Sequence, residues 1–185
     1  MYALPTVEQP FFQGDLLSNY SFIVPPLGKQ FVFIGDAVSS IVVELSAKED
    51  AYMDGKKEQL IANSFRSSAM IITQTCDIQR REYISVCPIF DLAVLKSKYT
   101  NYGWGENRIN NFIEDLKNQK QNYFLYLPAH TSENVNFSES YVDLQVINSM
   151  PSSNVTNYHR FLSLTDKGRH WIGFKLSNLF GRPFV

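Results

Sequence analysis

The stretch Met70 to Phe90, MIITQTCDIQRREYISVCPIF, decides the fold. Met70-Ile71-Ile72 is a continuous apolar run that leads into polar residues, which predicts a buried strand over 70–75. Tyr83 to Phe90 is rich in β-branched and apolar residues and predicts its partner. The charged Gln79-Arg80-Arg81-Glu82 between them suits a hairpin loop. Pro88 lacks an N–H and is expected at an edge or a bulge. Thr73-Gln74-Thr75-Cys76-Asp77 lies where the first run ends. Polar side chains crowd the end of a core strand when they satisfy a buried network or build a site.

Outward from this stretch, the 185 residues are enough for one domain with a substantial core: residues 13–185, preceded by an N-terminal arm over 1–12. Aromatic residues make up 14% of the chain, which fits β structure with cross-strand ring pairs. The 17 basic and 18 acidic residues leave a net charge of −1, so no global field favours nucleic acid or a membrane surface. Two cysteines, no basic and apolar leader at the start, and no run of about 18 apolar residues point to a cytoplasmic protein with free thiols. The histidines and cysteines show no metal-ligand spacing and no glycine-rich phosphate loop is present, so no metal and no cofactor are expected.

Short segments rich in β-branched or aromatic residues (31–34, 41–45, 123–127, 158–164) read as strands, and 59–65 fits either a strand or a short helix. Pro25-Pro26 and Gly35-Asp36 are breaks, and 48–57 reads as an exposed loop. In 141–147, Val142, Leu144 and Val146 alternate with Tyr141, Asp143 and Gln145, which predicts a half-buried strand with the second set outward. Ile109, Phe112, Ile113 and Leu116 form one helical stripe over 107–118. A second helix is expected over 165–180, capped by Thr165 or Asp166, with Ile172, Leu176, Leu179 and Phe180 inward and Gly181 as a left-handed cap. The expected fold is therefore mainly β with α: a small, partly open, SH3-like β-barrel with an internal helix and a C-terminal helix.

This order of motifs resembles the MazF/PemK-type barrel of bacterial toxin ribonucleases. Gly14-Asp15-Leu16, Arg66 to Ile72, Val86-Cys87-Pro88-Ile89-Phe90 and Tyr141 to Ile147 carry the resemblance, and 165–180 is similar to the closing helix. The Thr-Gln-Thr-Cys-Asp cluster and Tyr126-Leu127-Pro128 look more like an uncharacterised bacterial group with a Ser/Thr-Gln-x-Cys-Asp motif. The resemblance implies a toxin–antitoxin or defence setting. In the toxins an Arg and a Ser/Thr beside the strand ends cleave RNA. Arg66 matches the first, but Phe90 replaces the Thr, and a phenyl ring neither donates a hydrogen bond nor moves a proton.

Three functional readings stay open. One is a binding module that contacts a protein partner or single-stranded RNA, as a monomer or a homodimer, through Arg66, Gln74, Asp77 and Arg160. The second is a metal-independent endoribonuclease using Arg66 and Asp77. The third is an enzyme built on a Cys76 thiolate, which needs a lowered pKa and a base. The structural alternatives are a small buried Cys76, an Asp77 that bonds turn amides, Thr73 and Thr75 on a strand ladder, and an Arg160–Asp143 bridge. Tyr99, Tyr102 and Trp104 either stack on bases or pack over the core edge.

Overall fold

The computed structural model describes residues 1–6, 8–24, 31–34, 41–44, 59–60 and 63–181. The chain forms two compact units, one of residues 1–20 and 66–185, the other of residues 21–65. The breaks at Pro25-Pro26 and Gly35-Asp36 and the loop over 48–57 lie outside the described residues.

In the larger unit the strand β7 (Tyr83–Asp91) is the axis of the sheet. On one side it pairs antiparallel with β6 (Asn63–Ile71), with Met70 opposite Cys87. On the other side its first half pairs with β12 (Asn148–Pro151) and its second half with β11 (Ser140–Asp143). Pro88 is not at an edge. It is buried opposite Ala69 inside β7, and the other flank is open there, because β12 pairing stops at Val86 and β11 pairing starts at Ile89. The gap between two partner strands asks no N–H of the proline.

β1 (Tyr2–Ala3), β13 (Arg160–Leu164), β2 (Leu16–Val24), β6, β7, β11 and β8 (Phe124–Leu127) follow one another across the sheet. It curls far enough that its two ends meet. The Tyr2 hydroxyl on β1 donates to the Pro128 carbonyl just past β8 at 2.9 Å, and the Tyr2 ring packs against His130 and Phe137 from the paired short strands β9 (His130–Thr131) and β10 (Asn136–Phe137). One core accordingly joins Leu164, Leu16, Met70, Cys87, Val142 and Leu125 from strands across the sheet. This is a partly open barrel, mainly β, with a C-terminal helix against its core.

That helix, α4 (Asp166–Phe180), follows its expected span. Thr165 caps it, its hydroxyl accepting from Gly168 N–H. Ile172 and Leu176 are buried against the barrel, but Phe180 is exposed. Gly181 has φ of −71° and is not the left-handed cap expected of it.

The opposite face of β7, β11 and β8 is covered by two helices, α2 (Leu92–Asn101) and α3 (Glu106–Lys117), where one was expected. Ile109, Ile113 and Leu116 of α3 join Leu92 and Leu95 of α2 in a second cluster. Phe90 and Tyr141 belong to it, opposite each other in register with ring centroids 5.6 Å apart. Tyr141 is thus buried where alternation alone put it outward, because helices cover both faces of these strands. The strand ends at Asp143, and Leu144-Gln145 form a turn. Tyr99 stacks on Trp104 at 4.2 Å and both pack on Phe112, while Tyr102 is exposed.

In the smaller unit Gln59–Leu60 is a strand, β5, and β6 starts at Asn63, so the described residues of 59–65 are strand. β3 (Phe31–Ile34) lies between β4 (Ile41–Glu44) and β5 in a three-stranded sheet. Phe22 and Phe65 stack with centroids 5.4 Å apart.

Candidate functional site

The polar cluster after Ile72 is not part of the strand. Thr75–Ile78 forms a single helical turn, α1. Two threonines turn the chain off the ladder because their hydroxyls are claimed from elsewhere. Thr73 Oγ1 accepts from Ser85 N–H at 2.7 Å, and Thr75 Oγ1 accepts from Gln13 N–H at 3.1 Å. Gln13 adds a second tie, its Nε2 donating to the Ile72 carbonyl at 2.7 Å. Asp77 closes the turn through its backbone, its carbonyl accepting from Arg80 and Arg81 N–H. Glu82 is fixed in the same way, its carbonyl accepting from Ser152 N–H at 2.8 Å. The turn is held by backbone groups, the two threonine hydroxyls, the Gln13 amide and the buried Ile78, and its other polar side chains are turned outward.

Gln74, Cys76, Arg80, Arg81, Glu82 and Tyr83 are exposed. The Asp77 carboxylate pairs with Arg81 Nε at 3.3 Å. One shallow concavity beside the turn is lined by Asp77, Arg80, Arg81, Glu82 and Tyr83. A second, on its other flank, joins Thr75 and Gln13 to Arg169, His170 and Phe174 of α4. His170 and Gln13 reach this place only through the fold. The sequence signal for Gln13 is its position next to Gly14-Asp15, which β6 holds through Gly14 N–H to the Ile71 carbonyl at 2.8 Å.

The nominated site residues do not converge. Cys76 is exposed, and Gln74 Oε1 at 4.0 Å is the polar atom beside its Sγ. The other thiol, Cys87, is buried, which pushes its pKa up to about 12 and keeps it a core side chain. Arg66 is exposed on β6, five residues before the strand ends at Ile71, roughly 17 Å away at the strand rise.

Arg160 does not bridge to Asp143. Its NH1 donates to Asp15 Oδ2 at 2.9 Å and to the Pro10 carbonyl at 2.6 Å. Its NH2 donates to the Thr6 and Gln9 carbonyls at 2.8 Å each. The guanidinium therefore straps the opening arm onto the barrel. Asp15 is fully buried and also accepts from Ser163 Oγ and Phe12 N–H, so every oxygen has donors. Arg160 lines a crevice with Thr6, Phe11 and His159, apart from the concavity that Asp77 lines. Asp143 instead takes Gln145 N–H at 3.0 Å, and burial raises its carboxyl above the ordinary aspartate range.

Among the described residues no group of three or more His, Cys, Asp or Glu side chains is placed to hold a metal ion, and no helix is long and apolar enough to cross a membrane. No protein-family model, no curated protein and no solved structure matches this chain.

Proposed function

We propose that the protein is a binding module whose contact surface is the Gln74–Tyr83 turn, and that its partner is a protein. The observation that carries this reading is the division of labour in the turn. The backbone is pinned by Gln13, Ser85 and Ser152, while Arg80, Arg81 and Tyr83 are exposed, Tyr83 by 60%. Arg and Tyr are enriched among the residues that carry most protein–protein binding energy, and a backbone that is already pinned spares the cost of ordering a loop on docking. The mixed charge of Asp77, Arg80, Arg81 and Glu82 suits a partner of mixed charge better than a polyphosphate strand.

An endoribonuclease would need a base and a charge stabiliser within reach of one phosphate. Arg160 is committed to Asp15 and Arg66 is distant from the turn, so that reading ranks below binding. The bacterial toxin–antitoxin or defence setting rests on the sequence resemblance. A cytoplasmic location fits an exposed Cys76 left as a free thiol.

The test uses an Arg80→Glu, Arg81→Glu, Tyr83→Ala variant made in the cells that produce the protein. After crosslinking, both attached protein and attached RNA are sequenced. Protein crosslinks at the turn that disappear in the variant are expected. RNA crosslinks that disappear while protein crosslinks persist would transfer the surface to RNA. New RNA ends on induction of the wild-type chain would restore the nuclease reading.

A further inference from the structure

Lys175 is a lysine on a helix packed against a barrel, and it is only 8% exposed. Its ammonium donates to the Phe124 carbonyl and to Gln119 Oε1 at 3.4 Å. No carboxylate pairs with it among the described residues. Buried lysines ordinarily acquire an acid partner or lose their proton. Here burial lowers the pKa to about 8, so the charge largely survives at neutral pH, with Nζ 5.6 Å from the centre of the Trp171 ring and one N–H not matched by an oxygen acceptor among the described residues. Gln119 holds the arrangement from behind, its amide making both bonds to the Tyr126 backbone.

The ammonium opens on a cleft of about 300 Å³ on the outer face of α4. Its walls are aromatic and unusually bare: Trp171 is 39%, Tyr123 53% and Phe174 66% exposed. Exposed Asn122 and Asn178 also line it, with Gln119 and Leu179, and among the described residues no hydrogen bond engages either asparagine amide. Trp171, Phe174, Lys175 and Asn178 recur at helical spacing, so a single face of α4 presents ring, ammonium and amide together.

We propose that this cleft binds a nucleobase through its carbonyl edge, the ring stacked among Trp171, Phe174 and Tyr123 and the carbonyl oxygen accepting from Lys175. Flat aromatic surfaces favour a planar ligand, and stacking on them is tolerant of which base arrives. The ammonium excludes cations. With two of its donors tied to protein it offers one hydrogen bond, which matches a neutral carbonyl better than a phosphate. Free asparagine amides supply donor and acceptor together, the groups that read base edges. Guanine O6 and uracil O4 meet the lysine as acceptors, whereas adenine would aim its N6 donor at it. Such a base arrives either as a free nucleotide or as one residue of a single strand. The cleft shares no residue with the Gln74–Tyr83 turn itself, although Phe174 also lines the concavity on the turn's flank, and the Lys175 and Trp171 variants test this inference apart from the protein-partner reading.

Isothermal calorimetry on the whole chain tests it with GMP, UMP and AMP and with oligouridylate and oligoadenylate of eight residues. GMP and UMP are expected to bind at least tenfold more tightly than AMP. Lys175→Met, which keeps the packing stem, should remove that preference while leaving residual stacking affinity. Trp171→Leu should weaken all three nucleotides. A mononucleotide that binds as well as the octamer identifies a free nucleotide as the ligand, and binding of oligouridylate alone identifies a strand. Equal affinity for all bases, no binding of any probe, or an unchanged preference in a folded Lys175→Met protein would overturn the proposal.

Discussion

The Asp15–Arg160 clamp and the Gln74–Tyr83 turn are built from the same residue types, and the fold treats them in opposite ways. In the clamp the arginine and aspartate side chains are 6% and 0% exposed and the guanidinium meets four oxygens. In the turn the Arg81–Asp77 pair is 66% and 31% exposed and makes one contact. A buried charge must be matched donor for donor, so the clamp fixes which segments meet. An exposed pair is solvated and contributes little to stability, which frees its side chains for a partner.

The sharpest way to break this contrast is Arg160→Ala, which leaves Asp15 buried without its counter-charge and releases the carbonyls of the arm. It should cost about 3–5 kcal/mol in urea unfolding. Asp15→Asn combined with Arg160→Met should be less destabilised than Arg160→Ala, because no lone charge remains. A smaller loss is expected from Gly14→Ala beside the clamp. Gly14 has φ of +88°, and an added Cβ would meet Leu164 Cδ1 at 2.8 Å. A left-handed conformation forced on a residue with a side chain costs about 1–3 kcal/mol, read from the same unfolding curves. The turn should show the smallest effect. Arg81→Ala should change stability by less than about 0.5 kcal/mol, as exposed i,i+4 pairs do. A loss from Arg81→Ala as large as that from Arg160→Ala would erase the distinction between the two regions.

Local pattern explains which elements were legible. The stripe Ile109, Ile113 and Leu116 revealed α3 because one helix face alone meets the core. α2 carried no such mark: only Leu92 and Leu95 are buried along it, too few for a periodic signal. Thr73 and Thr75 were misplaced on the strand because threonine suits a ladder. What removes them from it is a pair of hydrogen bonds to Ser85 and Gln13, 12 and 62 positions away.

The candidate site follows the same rule. The turn could be located from its polar composition at the end of an apolar run, but its flank of Gln13, Arg169 and His170 comes from distant segments. Arg160 stood out as a charge in an apolar stretch, yet its partner is Asp15, 145 positions away, and not Asp143. Phe90 was visible as a departure from the toxin pattern. Its use became clear with α2 and α3 above it, where it packs in the second cluster.

By itself the sequence determined that β6 and β7 are partners, the stripe of α3, the Ile172 and Leu176 face of α4 and a cap at Thr165 or Asp166, since each depends on the spacing of residues within a few turns of chain. The tertiary structure alone decided which charges are buried and matched, where the arm is strapped, and that Lys175 lines an aromatic cleft with no acid paired to it among the described residues. Those outcomes depend on desolvation and on donors brought from far along the chain, and no local period encodes either.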